Sequence, residues 1–211
     1  MHKEQLLPTR LPLLLAAIWT AGLAVSLWVA KDRLTWALEI APAIIAFIFI
    51  WRARHSFALT PLLYCLIALH GLILMLGGAY TYAQVPLGFW MQDWFGFTRN
   101  NYDKIGHFAQ GFVPAMVARE LLIRKFSLKH DGLVAFLSIS ICLAFSAFYE
   151  IIEWWSALLL GQGAEEFLGT QGYIWDTQSD MFFALIGASA AMLLLRRLHD
   201  RQMRALAGAQ P

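Results

Sequence analysis

Long apolar runs separated by short charged clusters set the pattern of this chain. Residues 11–30 carry no charged side chain, and Lys31-Asp32-Arg33 ends the run. Residues 34–51 are interrupted only by Glu39 and closed by Arg52 and Arg54. No Asp, Glu, Lys or Arg occurs from 55 to 92. A helix that crosses lipid needs about 20 mostly apolar residues, and its backbone must be hydrogen-bonded within the segment. The pattern predicts six such helices, at about 11–30, 34–51, 58–80, 103–122, 132–160 and 176–195. The sixth opens with Asp176 and Asp180 in its first turns. No long polar stretch remains. The expected architecture is therefore all-α: one integral membrane domain over 1–211, built as a six-helix bundle. The first run has full crossing length and no A-x-A site after a short apolar core, so a cleaved signal peptide is not expected. Neither an internal repeat nor a low-complexity segment is visible.

Composition strengthens this reading. Of the 211 residues 59% are apolar and 14% charged, against roughly a quarter charged in an average soluble domain. A disordered chain is excluded and an ordinary soluble domain is disfavoured. With a net charge of +2 and no basic stripe interleaved with aromatics, no nucleic-acid partner is expected; membrane lipid is. Cys65 and Cys142 form neither CxxC nor a zinc pattern and read as small core residues.

The basic residues orient the spans. With the N-terminus inside, the inner segments hold Lys3, Arg10, Arg52, Arg54, Arg119, Arg124, Lys125, Lys129, Arg196, Arg197, Arg201 and Arg204. The outer segments hold Lys31, Arg33, Arg99 and Lys104. That is 12 of the 16 inside, and it predicts both termini in the cytoplasm. The outer segment 80–101 is dense in Tyr, Phe and Trp and is expected to lie along the interface. An anchoring belt and a lid over a site below are both compatible with it.

Ionisable groups inside spans cost a few kcal/mol each and need a reason. Asp103 and His107 lie one turn apart in the fourth span, Glu150 and Glu153 in the fifth, Asp176 and Asp180 in the sixth; Glu39 in the second is a seventh member. At 1.5 Å per residue His107 and Asp180 lie roughly 6 Å below the outer ends of their helices, Glu39 roughly 8 Å, Glu153 roughly 10 Å and Glu150 roughly 15 Å. All seven thus share the outer half of the bilayer. Six facing carboxylates require protons or cations for balance. Lys104 and Arg99 are one source. A divalent metal bound by Asp103, His107, Glu150, Glu153, Asp176 and Asp180 is another. One histidine among oxygen ligands suits Mg, Mn or Ca better than structural Zn.

A structural reading stands beside the functional one. Asp103 and Asp176 suit helix N-caps, and the whole group is also compatible with a structural ion-pair network around Lys104 and His107. His70, alone in mid-span, reads as packing. Ala184, Gly187, Ala188 and Ala191 make a small-residue face for a close helix contact. Glu165-Glu166 reads as solvated loop.

Three segments carry a resemblance: Asp103-Lys104-Ile105-Gly106-His107-Phe108 within 102–111, Phe148-Tyr149-Glu150-Ile151-Ile152-Glu153-Trp154, and Tyr173-Ile174-Trp175-Asp176-Thr177-Gln178-Ser179-Asp180-Met181. With them the chain resembles the YjdF-like family of small bacterial inner-membrane proteins over nearly its whole length. The resemblance implies a multi-pass protein of the bacterial inner membrane and supplies no reaction. Asp103, Lys104, His107 and Phe108 also resemble a motif of the VanZ-like membrane proteins; where that motif continues with tyrosine this chain has Gly111. HExxH, a phosphate loop, a nucleophile elbow and a dinucleotide fingerprint do not occur. The leading expectation is a metal- or acid/base-dependent enzyme acting on a lipid or lipid-linked headgroup at the outer leaflet, with His107, Glu150 and Glu153 as catalytic groups. A proton-coupled small-molecule transporter and a non-catalytic structural or assembly factor are the alternatives.

Overall fold

A computed structural model describes residues 10–160 and 170–208. Among these residues the structure is helical, with no strand. The elements are α1 (Arg10–Val29), α2 (Arg33–Ala53), α3 (Pro61–Tyr80), a 3-10 turn (Tyr82–Gln84), α4 (Pro86–Phe95), α5 (Tyr102–Arg124), α6 (Asp131–Leu160), α7 (Asp176–Leu194) and α8 (Arg196–Ala207).

Local chemistry explains the boundaries. Asp32 caps α2 by accepting the Thr35 amide at 2.6 Å. Pro61 starts α3 at a position where no amide is needed. Gly96, at φ 68°, ends α4 in the left-handed conformation that glycine adopts without strain.

Among the described residues a helix stands at each of the six expected positions, and two further helices join them. The two additions, α4 and α8, have 10 and 12 residues. That is about 15–18 Å of helix, half of a hydrocarbon core. A search for crossing-length apolar runs passes over such elements. Among the described residues five helices are long and apolar enough to cross a membrane: α1, α2, α3, α6 and α7. α5 is long enough, at 23 residues, but carries Asp103, Lys104, Arg119, Glu120 and Arg124.

α5 and α7 form the central pair. A Cβ on Gly111 would lie 1.8 Å from the Ala184 carbonyl oxygen, and one on Gly187 would lie 2.0 Å from that of Phe108. The small-residue face of α7 thus lets two backbones touch, and Ala184, Ala188 and Ala191 are completely buried. Leu59, Leu63, Ala115, Met116, Cys142 and Met192 extend this core between α3, α5, α6 and α7. A second cluster, Trp19, Trp36, Ile40, Ala43 and Met75, ties α1 and α2 to α3, with Trp19 stacked on Phe47 at 4.4 Å. Large apolar side chains such as Trp28, Phe49, Phe136 and Leu193 point outward and are exposed, as in a bundle whose solvent is lipid. On α4, Phe89, Trp90, Trp94 and Phe95 are exposed.

Candidate functional site

The antiparallel run of the helices brings the N-terminal turns of α5 and α7, the last turns of α6, the second turn of α2 and the C-terminal end of α3 to one end of the bundle. A cavity of about 100 Å³ lies there, lined by Glu39, His70, Tyr82, Asp103, His107, Gln110, Tyr149, Glu153 and Asp180, among others.

Two cations pair with the three aspartates. Lys104 Nζ lies 2.5 Å from Asp180 Oδ1, 3.1 Å from Asp176 Oδ1 and 3.2 Å from Asp103 Oδ2. Arg99 Nη2 reaches Asp176 Oδ1 at 2.7 Å and Asp103 Oδ2 at 3.1 Å. Its Nη1 donates to the Thr170 carbonyl at 2.8 Å, and its guanidinium lies 4.7 Å from the Tyr173 ring centroid. The N-cap expectation for Asp103 and Asp176 is corrected. The cap positions belong to Asn101 and Trp175, and the two carboxylates sit inside the first turn. There they favour the helix dipole while their oxygens serve the ion pairs.

The glutamates stand differently. Among the described residues no Lys or Arg pairs with Glu39, Glu150 or Glu153. Glu39 accepts the Tyr149 hydroxyl at 3.4 Å. Glu150 is buried, and its Oε1 has no hydrogen-bond partner; the His107 Nδ1 atom lies 4.0 Å away. His107 bonds Gln110 Oε1 through Nδ1 at 2.9 Å and faces Asp180 Oδ1 with Nε2 at 3.6 Å. His70 Nε2 is also buried without a partner.

The expected metal ligands divide into two trios that share Asp180. His107, Glu150 and Asp180 offer atoms within 4.8 Å of one another, and so do Asp103, Asp176 and Asp180. In the second trio the Lys104 ammonium occupies the cation position. The first trio shares Asp180 with that ammonium, but its His107 and Glu150 pair with no Lys or Arg among the described residues; Glu153 belongs to neither trio. Glu165-Glu166 lies outside the described residues.

Tyr82 forms one wall of the cavity. A Cβ on Gly77 would come within 2.4 Å of its ring and one on Gly106 within 2.9 Å, so two glycines make its slot. The chain enters this turn through Thr81 at φ 54°, ψ 134°, a strained conformation for a β-branched residue.

A second buried polar group occupies the opposite end. Glu120, completely buried, accepts from the Thr60 amide at 3.1 Å, the Thr60 hydroxyl at 2.8 Å and Arg124, and meets His199 Nε2 at 2.7 Å. Arg119 bridges His199 Nδ1 at 3.2 Å and Asp200 at 2.6 Å. Gln202 accepts the Leu62 amide at 2.8 Å. These bonds fasten α8 to α3 and α5.

Residues 11–201 match the family described as "Predicted membrane protein (DUF2238)". The chain belongs to this family. It is 56% identical over 175 residues to the inner membrane protein YjdF of Escherichia coli (strain K12), covering 83% of this chain and 84% of that relative. No solved structure matches.

Sequence reasoning within this family missed Tyr82, Gln110 and the Glu120–His199 pair. Glu120 and His199 lie 79 positions apart, and no local spacing signals their contact. The signal available was weaker: His199, Met203 and Leu206 recur at helical spacing between arginines, and all three are buried.

Proposed function

We propose that this chain is a six-span protein of the bacterial inner membrane, with both termini cytoplasmic, that acts on a lipid or lipid-linked headgroup at the outer leaflet through a metal-dependent or acid–base site. The inner-membrane location rests on the name of the E. coli relative. The sixth span is α5, whose polar ends are covered by α3, α6, α7 and α8. The orientation rests on the 12-to-4 division of basic residues. A reporter fused after Arg204 should be active only as a cytoplasmic fusion; periplasmic activity would overturn the topology.

One observation carries the chemical reading. Glu39, Glu153 and His107 line a hollow with room for about three waters at roughly 30 Å³ each, Glu150 stands 4.0 Å from His107, and among the described residues none of the three glutamates is paired with Lys or Arg. Leaving buried charge uncompensated costs several kcal/mol per ion. A divalent cation held by His107, Glu150 and Asp180, or protons shared among the carboxylates, supplies the balance. Either arrangement suits hydrolysis or group transfer. A carboxylate or His107 takes the proton of an attacking water, and a protonated neighbour returns one to the leaving oxygen. Oxygen-rich ligation favours Mg, Mn or Ca.

Metal analysis of the protein purified in detergent tests this. Stoichiometric divalent metal, lost in His107→Ala and Glu150→Gln while the fold persists, is the expected result. Its absence shifts weight to a proton-coupled carrier, a reading that the unpartnered His70 on the same cavity favours. Variants that melt early and lose function only in proportion to folded protein would leave a structural or assembly role.

A further inference from the structure

An open groove of about 560 Å³ lies beside the cavity, between α4, the start of α5 and α7. Its walls divide by chemistry. Thr98, Arg99, Asn101, Lys104 and Ser179 bring N–H and O–H donors, and among the described residues no carboxylate lines it. Met91, Phe97, Ile105, Phe108 and Phe183 supply apolar surface. The neighbouring cavity has the opposite character, with Glu39, Asp103, Glu153 and Asp180 in its lining. Lys104 belongs to the groove while its ammonium holds Asp176 and Asp180, so the ion-pair cluster is the partition between the two hollows. The aspartates and the Thr170 carbonyl already hold Arg99 and Lys104 in place, so neither long side chain has to be ordered when an anion arrives. One wall belongs to α4, whose exposed Phe89, Trp90, Trp94 and Phe95 suit headgroup depth.

A donor-lined end joined to an apolar end, at headgroup depth, matches an amphiphile with a phosphate. We propose that this groove binds one outer-leaflet glycerophospholipid, its phosphate against Thr98, Arg99, Asn101 and Ser179 and its acyl chains along Ile105, Phe108 and Phe183. The proposal deepens the reading of a headgroup-directed site and rests on it for orientation. It places the phosphodiester across the partition from His107 and Asp180.

Native mass spectrometry of the full chain, delipidated in detergent, tests binding without turnover. The probes are dioleoyl phosphatidylglycerol, dioleoyl phosphatidylethanolamine and dioleoylglycerol. Both phospholipids should be retained, and dioleoylglycerol about tenfold or more weakly, because it lacks the charged acceptor. Thr98→Glu, at an exposed rim position, sets a carboxylate among the donors and should weaken phospholipid retention by about the same factor. Ser179→Trp should plug the groove; if it fails to fold, Thr98→Glu carries the test alone. Equal retention of dioleoylglycerol, or wild-type retention by Thr98→Glu, overturns the proposal. Metal content separates the two readings. Groove-dependent retention in a protein without metal, insensitive to His107→Ala, removes the cation site and keeps the lipid site. Stoichiometric metal with unselective retention does the reverse.

Discussion

At one end of the bundle Glu120 and His199 are buried completely, and every side-chain oxygen and nitrogen of the pair has a partner from α3, α5 or α8. At the other end His70, which lines the cavity, and Glu150, next to the cavity-lining His107, each leave a buried polar atom unpaired. Both ends place charge in an apolar bundle, and both lie on α5. The difference is completion. A fully satisfied network holds elements together and leaves nothing to bind. An unsatisfied one beside a hollow is stabilised only when something arrives, which is what a ligand site requires.

Four experiments press on that contrast. The largest effect belongs to Glu120→Ala. It strips the partners of Thr60, Arg124 and His199 at once and should cost about 3–5 kcal/mol, read as a large fall in melting temperature in detergent. A melt like wild type would mean the Glu120–His199 network does not hold the bundle.

Gly187→Leu comes next. Its side chain would enter the Phe108 carbonyl and force α5 from α7, at a cost of about 1–3 kcal/mol or more. Because both ends hang on this helix pair, the variant should also reduce any binding of the proposed metal or lipid at the His107 end. Unchanged stability would show that the close contact is dispensable.

Asp32→Ala, distant from both networks, calibrates the scale at about 1 kcal/mol through loss of the α2 cap. The Thr35 amide holds the Asp32 carboxyl below its usual range. Its contribution is therefore present above about pH 4 and fades as pH falls through the lowered folded-state value. Asn caps without titrating, so the stability difference between wild type and Asp32→Asn should change only on that acid limb. A constant difference from neutral to acid pH would contradict the cap.

Glu150→Gln should have the smallest effect on stability, within about 1 kcal/mol or slightly stabilising, since it removes an unpaired buried charge. Function should nonetheless be lost. A melting temperature that falls as far as in Glu120→Ala would erase the contrast and make the His107 cluster structural.

The apolar runs alone specified the long helices, because lipid leaves the backbone no alternative and run length reports directly on crossing. The one-turn pairs Asp103/His107, Glu150/Glu153 and Asp176/Asp180 were legible for the same reason: helical spacing is a local property. Helix α4 and helix α8 were not, since each is too short for a hydropathy signal; α8 draws its burial from neighbours, and α4 leaves its aromatic rings exposed. Tertiary structure alone decided which carboxylates pair with a cation. Sequence places Lys104 one residue from Asp103, but only the packing of α7 on α5, through Gly111 and Gly187, brings Asp176 and Asp180 to its ammonium and leaves Glu39, Glu150 and Glu153 without one. Glu120 and His199 meet for an equally nonlocal reason: α8 folds back across the end of α5. Charge compensation depends on distances between helices, and a linear pattern contains none of them.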